Sequence, residues 1–258
     1  MPTTIWNISD LSNITLDASA LIATATAQGA VRAVIGSTSG KYYFEFSLNQ
    51  FSSGNSGVGI ANASAVLSSV GPTPTNACLV YPSGNVWLNN AFSGKTIGGI
   101  TAGSVVCVAL DLSLYQIWLR VGASGNWNGS ATNDPATGVG GIALAAIASA
   151  SVAVFPIFAG GASGEKATAL FGDSAHFFGV VPSGFTAGYP VAGSPGPTVV
   201  QMTQMAVEQW STVNPAGQLT QIAIEHWNTV NPTGLMTQIA IEQWASVVGA
   251  GFFSARHV

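Results

Sequence analysis

Seven acidic residues are scattered over residues 1–190: Asp10, Asp17, Glu45, Asp111, Asp134, Glu165 and Asp173. Two carboxyls facing each other across a groove would be the machinery of glycoside hydrolysis, one protonating the leaving oxygen while the other attacks or activates water. No two of these acids share one face of a single run. Glu45 and Asp111 end strand-like runs, where a solvated or hydrogen-bonded structural acid is the simpler reading. A Ser-His-Asp arrangement would have to draw on His176, in Asp173-Ser-Ala-His176, and no Gly-x-Ser-x-Gly elbow presents a nucleophile. Three His and two Cys leave little for a metal. We therefore expect no catalytic residues, no metal site and no cofactor. Cys78 and Cys107 are either bridged or two buried thiols, and the apolar run around Cys107 favours thiols. The Asn-x-Ser/Thr triplets at Asn7, Asn13, Asn62 and Asn128 read as chance in a Ser/Thr-rich chain rather than as glycan acceptors.

Aromatic residues beside turns are the better binding candidates. Tyr81, Trp87 and Trp127 lie in or next to Gly/Asn/Ser clusters, the composition of an adaptable binding surface. Trp127 between Asn126 and Asn128 would stack on a sugar ring while the amides bond its hydroxyls. The alternative for Trp87 and Trp127 is membership of the core, and Trp118 belongs there by its place in an alternating run.

The elements that must position these residues are strands. Lys41-Tyr-Tyr-Phe-Glu-Phe-Ser-Leu48 alternates, with Tyr42, Phe44 and Phe46 on one side and Tyr43, Glu45 and Ser47 on the other. Val105-Val-Cys-Val-Ala-Leu-Asp-Leu112 is a continuous apolar run, as in a central strand, and Gln116-Ile-Trp-Leu-Arg-Val121 alternates again. Turn clusters such as Tyr81-Pro-Ser-Gly-Asn85 and Gly122-Ala-Ser-Gly-Asn126 separate them. Short strands at this spacing predict an all-β sandwich or barrel.

Charge narrows the function further. The 258 residues hold 6 Lys plus Arg and 10 Asp plus Glu, 6% of the chain, against about 25% in an ordinary soluble domain. Six scattered cations cannot neutralise a run of phosphates, so no nucleic-acid partner is expected. An apolar fraction of 48% argues against disorder. The uncharged stretch 135–164 is interrupted by Gly138, Gly140, Gly141, Pro156, Gly160 and Gly161 and is rich in Ala and Ser, so no membrane insertion is expected. Met1-Pro-Thr-Thr-Ile-Trp6 lacks a basic region followed by an apolar stretch, so no secretory signal is expected. A surface this poor in charge suits a large assembly that covers it.

Beyond Gly188 the texture changes. Residues 189–200 are a Pro/Gly linker without charge. Then Met202-Thr-Gln-Met-Ala-Val-Glu-Gln-Trp210 recurs as Leu219-Thr-Gln-Ile-Ala-Ile-Glu-His-Trp227 and as Met236-Thr-Gln-Ile-Ala-Ile-Glu-Gln-Trp244, with the Trp residues 17 apart. As a strand, Thr220, Ile222, Ile224 and His226 share a face; as a helix, Leu219, Ile222, Ala223, Trp227 and Val230 form a stripe. Thr, Ile, Val and Trp favour strands over short helices. Three such short units bury little alone, so they need a partner. The expected assembly contacts are Trp210, Trp227, Trp244, Ile222, Ile224, Ile239 and Ile241. The expected domains are 3–188, a sandwich; 189–200, a linker; 201–248, the repeats; and 249–258, a tail.

An ordered set of segments runs through the first part: Gly40-Lys-Tyr-Tyr-Phe-Glu45, Val58-Gly-Ile-Ala-Asn-Ala63, Gly84-Asn-Val-Trp-Leu-Asn89, Gly103-Ser-Val-Val-Cys-Val-Ala-Leu-Asp-Leu112, Ile117-Trp-Leu-Arg120, Asn126-Trp-Asn-Gly129 and Pro135-Ala-Thr-Gly-Val-Gly-Gly141. Phe155-Pro156, Phe171-Gly172 and Val181-Pro-Ser-Gly-Phe185 complete it. In this ordered set the first part resembles the SPRY (B30.2-type) domain in the form found within bacteriophage virion proteins. Ser104 and Leu119 depart from the pattern, which usually has an acid and a Phe there. The resemblance implies a two-sheet antiparallel, concanavalin-like sandwich used for binding. The Thr-Gln-x-Ala-x-Glu-x-Trp units resemble short repeats near the ends of phage tail and fibre proteins. Together they imply a non-enzymatic virion structural protein (fibre, collar or decoration subunit), assembled in the host cytoplasm, whose partners are copies of itself and other virion proteins. A host-adsorption protein, binding a surface glycan or protein through the sandwich loops, is the alternative. A polysaccharide-degrading tail enzyme ranks behind both.

Overall fold

The computed structural model describes residues 4–172 and 174–190, and the backbone of 206–210, 220–225, 242–246 and 253–255. The chain divides into two compact units, Met1–Gly196 and Pro197–Val258.

The described residues of the first unit form thirteen strands. In chain order they are β1 (Trp6–Leu16), β2 (Ile22–Ala33), β3 (Lys41–Gln50), β4 (Gly57–Asn62), β5 (Ala77–Val80), β6 (Asn85–Leu88) and β7 (Ala91–Thr96). Then come β8 (Val105–Asp111), β9 (Gln116–Val121), β10 (Ile142–Ala143), β11 (Val154–Gly160), β12 (Lys166–Leu170) and β13 (Thr186–Ala187). One layer runs β10-β9-β8-β3-β12 and the other β2-β11-β4-β5-β6-β7, with β1 on β2. The layers join where β12 pairs with both β3 and β2. All pairs are antiparallel except β13 on β3. This is the all-β antiparallel sandwich expected from the run of short strands.

Alternation in β3 decides what the sandwich buries. Tyr42, Phe44 and Phe46 enter the central core, where Phe44 and Phe46 meet Phe171 edge-on at 5.6 and 5.5 Å between ring centroids. Trp6 closes the cluster, 5.0 Å from Phe171, with its indole N–H donated to the Leu21 carbonyl at 3.0 Å. Edge-to-face pairs of this kind add about 0.5–1.5 kcal/mol each to the burial of their area. Beside them in the same layer, β8 sends in Val106, Val108 and Leu110, and β9 sends in Ile117 and Leu119. Leu119 is fully buried in that core.

The outer faces are covered as well. Between β4 and β5, the loop brings Ala65 and Val70 down on Ala61, Ala77, Leu79 and Ile157. On the other layer, Trp127, Phe177, Val181 and Phe185 pack over Tyr43, Cys107 and Trp118. Tyr43 and Glu45, on the second side of β3, are therefore fully buried rather than solvated.

In the second unit, β14 (Ala206–Trp210), β15 (Thr220–Glu225), β16 (Glu242–Ser246) and β17 (Phe253–Ala255) form an antiparallel sheet in chain order. The preference of the repeats for strands holds where they are described. Trp210 and Trp244 pair with the same residue, Gln221, from either side. Residues 191–200 of the expected linker lie outside the described residues.

Candidate functional site

Taken one by one, the turn-borne candidates differ sharply in what remains open to a ligand. Tyr81 follows β5 and is buried; its hydroxyl donates to the Gly71 carbonyl at 2.5 Å, and burial pushes its pKa up. Trp127 opens the 3-10 turn Trp127–Gly129 and is only 9% exposed. One ring face carries the Arg120 guanidinium, 4.2 Å from the centroid, and Tyr43 meets the ring edge-on at 6.4 Å. Asn128, at φ 46°, places its amide among backbone groups. Its Oδ1 accepts from Leu119 N–H at 2.9 Å, and its Nδ2 donates to the Ile117 and Gly140 carbonyls at 3.0 and 2.9 Å. The amide thus ties the 3-10 turn to β9, leaving no free donor for a sugar hydroxyl. Asn126 is exposed. Trp87, on β6, is half-buried and sits 6.2 Å from Phe92 of β7, itself 50% exposed.

The described acids are engaged in holding the fold. Glu45 accepts the Tyr43 hydroxyl at 2.5 Å and the backbone N–H groups of Phe178 and Gly179, each at 2.8 Å. It fastens the segment 174–185 across the sheet. Gly179 is required there, because a Cβ would lie 2.4 Å from the Tyr43 hydroxyl. Asp111 caps the β8–β9 turn through Ser113 and Leu114 N–H at 2.8 and 3.1 Å and pairs with Lys41 at 2.8 Å. Asp10 binds Arg32 through both oxygens, at 2.7 and 2.9 Å. Arg32 also donates to the Asn62 and Ala65 carbonyls at 2.6 and 3.3 Å, fixing the start of the β4–β5 loop.

Glu165 joins two loops. It accepts N–H groups from Ser52 and Ser53 at 3.0 and 2.6 Å and from Gly161 and Ala162 at 2.7 and 3.2 Å, as well as the Ser56 hydroxyl. Burial alone would raise its pKa; the donors outweigh that and hold it below the ordinary glutamate value. Beside it lies an open polar groove of about 520 Å³ lined by Asn49, Gln50, Ser52, Ser163 and Lys166.

Cys78 and Cys107 are free and buried, on β5 and β8. Burial pushes Cys78 up to about 12 and, with Glu45 nearby, Cys107 up to about 11. Neither is a thiolate near neutrality. Among the described residues no His/Cys/Asp/Glu group could hold a metal, and no helix is long and apolar enough to cross a membrane. His176 closes the 3-10 turn Ser174–His176.

Of the expected assembly residues, Trp210, Ile222, Ile224 and Trp244 lie in β14, β15 and β16. Trp227, Ile239 and Ile241 lie outside the described residues. Sequence reasoning missed Phe92 and Arg120. The signal for Phe92 was Asn89-Asn90, a two-residue hairpin turn that sets it directly across from Trp87. Arg120 carried no such signal, since its stacking on Trp127 depends on how the turn folds back.

No model of a known protein family matches the chain, and no curated protein matches it. Among solved structures, the SPRY domain of human HERC1 is similar at 19% identity, over 64% of this chain and 96% of that one, with a TM-score of 0.48. The TRIM65 PSpry domain is similar at 11% identity, over 65% of this chain and 92% of that one, with a TM-score of 0.45.

Proposed function

We propose that this chain is a non-enzymatic structural protein of a bacteriophage virion, displaying its sandwich as a binding domain and joined through its C-terminal repeats to copies of itself and to other virion proteins. The observation that carries the reading is the threefold recurrence of Thr-Gln-x-Ala-x-Glu-x-Trp at 17-residue spacing. Short strands of this kind bury too little to stand alone, so repetition has value when neighbouring chains cover them. The 6% charge content supports it, because a subunit enclosed by neighbours does not need repulsion to stay dispersed. The resemblance of residues 3–188 to phage SPRY domains gives the setting. The acids described in the sandwich are engaged with backbone N–H groups, hydroxyls and cations, which suits binding better than proton transfer.

Deleting 201–258 tests this. Particles purified from cells making only the shortened chain should lack it, while the full chain co-purifies with them. Equal incorporation of both forms would overturn the assembly role of the repeats.

A further inference from the structure

The apolar layer beneath the β4–β5 loop runs out into solvent at one edge of the sheet. Pairing sets Ile157, Gly59, Leu79, Trp87 and Phe92 in a single row across β11, β4, β5, β6 and β7. Ala65 and Val70 cover the inner end of this layer. Towards the edge the cover thins: Leu67 and Trp87, packed on the cluster, are half-buried, and Phe92 is 50% exposed. The two rings are tilted by 54° to each other. Asn89 and Asn90, at φ 47° and 65°, make the tight turn that holds them opposite one another.

Electrostatics select the ligand. From Phe51 through Gly94 the sequence contains no Asp, Glu, Lys, Arg or His. Lys95 pairs with Val86, a residue of the central core, and so belongs to the other face of the hairpin. Arg32 and Asp10, under the start of the loop, neutralise each other. Among the described residues nothing paired with the rings or packed under the loop leaves a net charge for a phosphate, a carboxylate or an ammonium group. What the turn offers is amides: Asn89 accepts Asn76 N–H on its Oδ1 at 2.9 Å and keeps its NH₂ as a donor, and Asn90 is exposed.

We propose that Trp87 and Phe92 form the platform of a binding site for a neutral saccharide. The apolar face of a pyranose ring covers the exposed aromatic surface, and its hydroxyls bond the turn amides. The proposal rests on the reading of the sandwich as a displayed binding domain, and it supplies that domain's ligand class. A second protein chain fits the patch less well. A stable interface needs about 800 Å² from each partner, far more than three apolar side chains expose, whereas one or two sugar rings match them.

The test probes the purified full chain on an array of neutral and acidic bacterial-surface glycans. Expected is saturable binding to neutral glycans, unchanged in 1 M salt, reduced at least tenfold by Phe92→Ser and retained by Phe92→Tyr. Thermal unfolding of each variant checks that the sandwich is intact. A blank array, binding confined to acidic glycans, or equal binding by Phe92→Ser overturns the proposal. So does a wild-type self-association that Phe92→Ser abolishes, which would assign the patch to a second copy. If the array is blank but the chain is present in purified particles, the saccharide site fails and the virion reading stands. If the chain is absent from particles, the virion reading fails whatever the array returns.

Discussion

Glu165 shows what a single buried charge does in a chain with few of them. It gathers four backbone N–H groups and one hydroxyl from two loops into one carboxylate. Hydrogen bonds to a charged group are worth about 1.5–3 kcal/mol each. Glu165→Gln keeps the shape and removes the charge, so urea unfolding at pH 7 should show a loss of about 2–3 kcal/mol. The folded-state pKa lies below the ordinary 4.5. The carboxylate's stabilisation is therefore full above that value and fades as pH falls through the folded-state value. The difference between wild type and Glu165→Gln should shrink on acidification; a constant difference would show that the charge is not what matters. Asn128→Ala strands the Leu119 N–H and the Ile117 and Gly140 carbonyls, and should destabilise by about 2–4 kcal/mol in the same measurement. Both cysteines should stay inert to a thiol reagent at pH 8 in the folded protein and react fully once it is unfolded, given their burial and raised pKa values.

Among the elements, β3 was legible and the segment 174–185 was not. The period of two in Tyr42, Phe44 and Phe46 dictates which side chains face the core, because successive residues of a strand point to opposite faces. The same period gave Tyr43 and Glu45 a common side. It carried no information about what would cover that side, since the cover comes from a segment more than a hundred residues away in the chain. Gly179 is the point of closest approach, under the Tyr43 hydroxyl and the Arg120 guanidinium. Gly179→Ala should lift this segment without unfolding the sandwich. Amide exchange at Phe178 and Gly179 should then accelerate at least tenfold while that of β8 stays protected. Equal acceleration in β8 would mean that the segment and the sheet unfold as one.

For the whole molecule, the two compact units predict separable behaviour. A chain ending at Gly196 should unfold cooperatively on its own and sediment as a monomer, because the sandwich holds its own core. The full chain should self-associate in a concentration-dependent way through the repeats. Matching sedimentation of both would remove the repeats from assembly. The sequence by itself determined the strand pattern, the internal repeat and the shortage of charge, because periodicity and composition are local quantities that a linear string displays. Only the tertiary structure decided which turn residues are spent on the protein itself. Trp127 and Asn128 are claimed by Arg120, Tyr43 and β9, and Glu45 by a distant segment, whereas Trp87 and Phe92 stay at a rim. Burial and hydrogen-bond satisfaction are settled by chain segments far apart in sequence, and the string does not show which of them will meet.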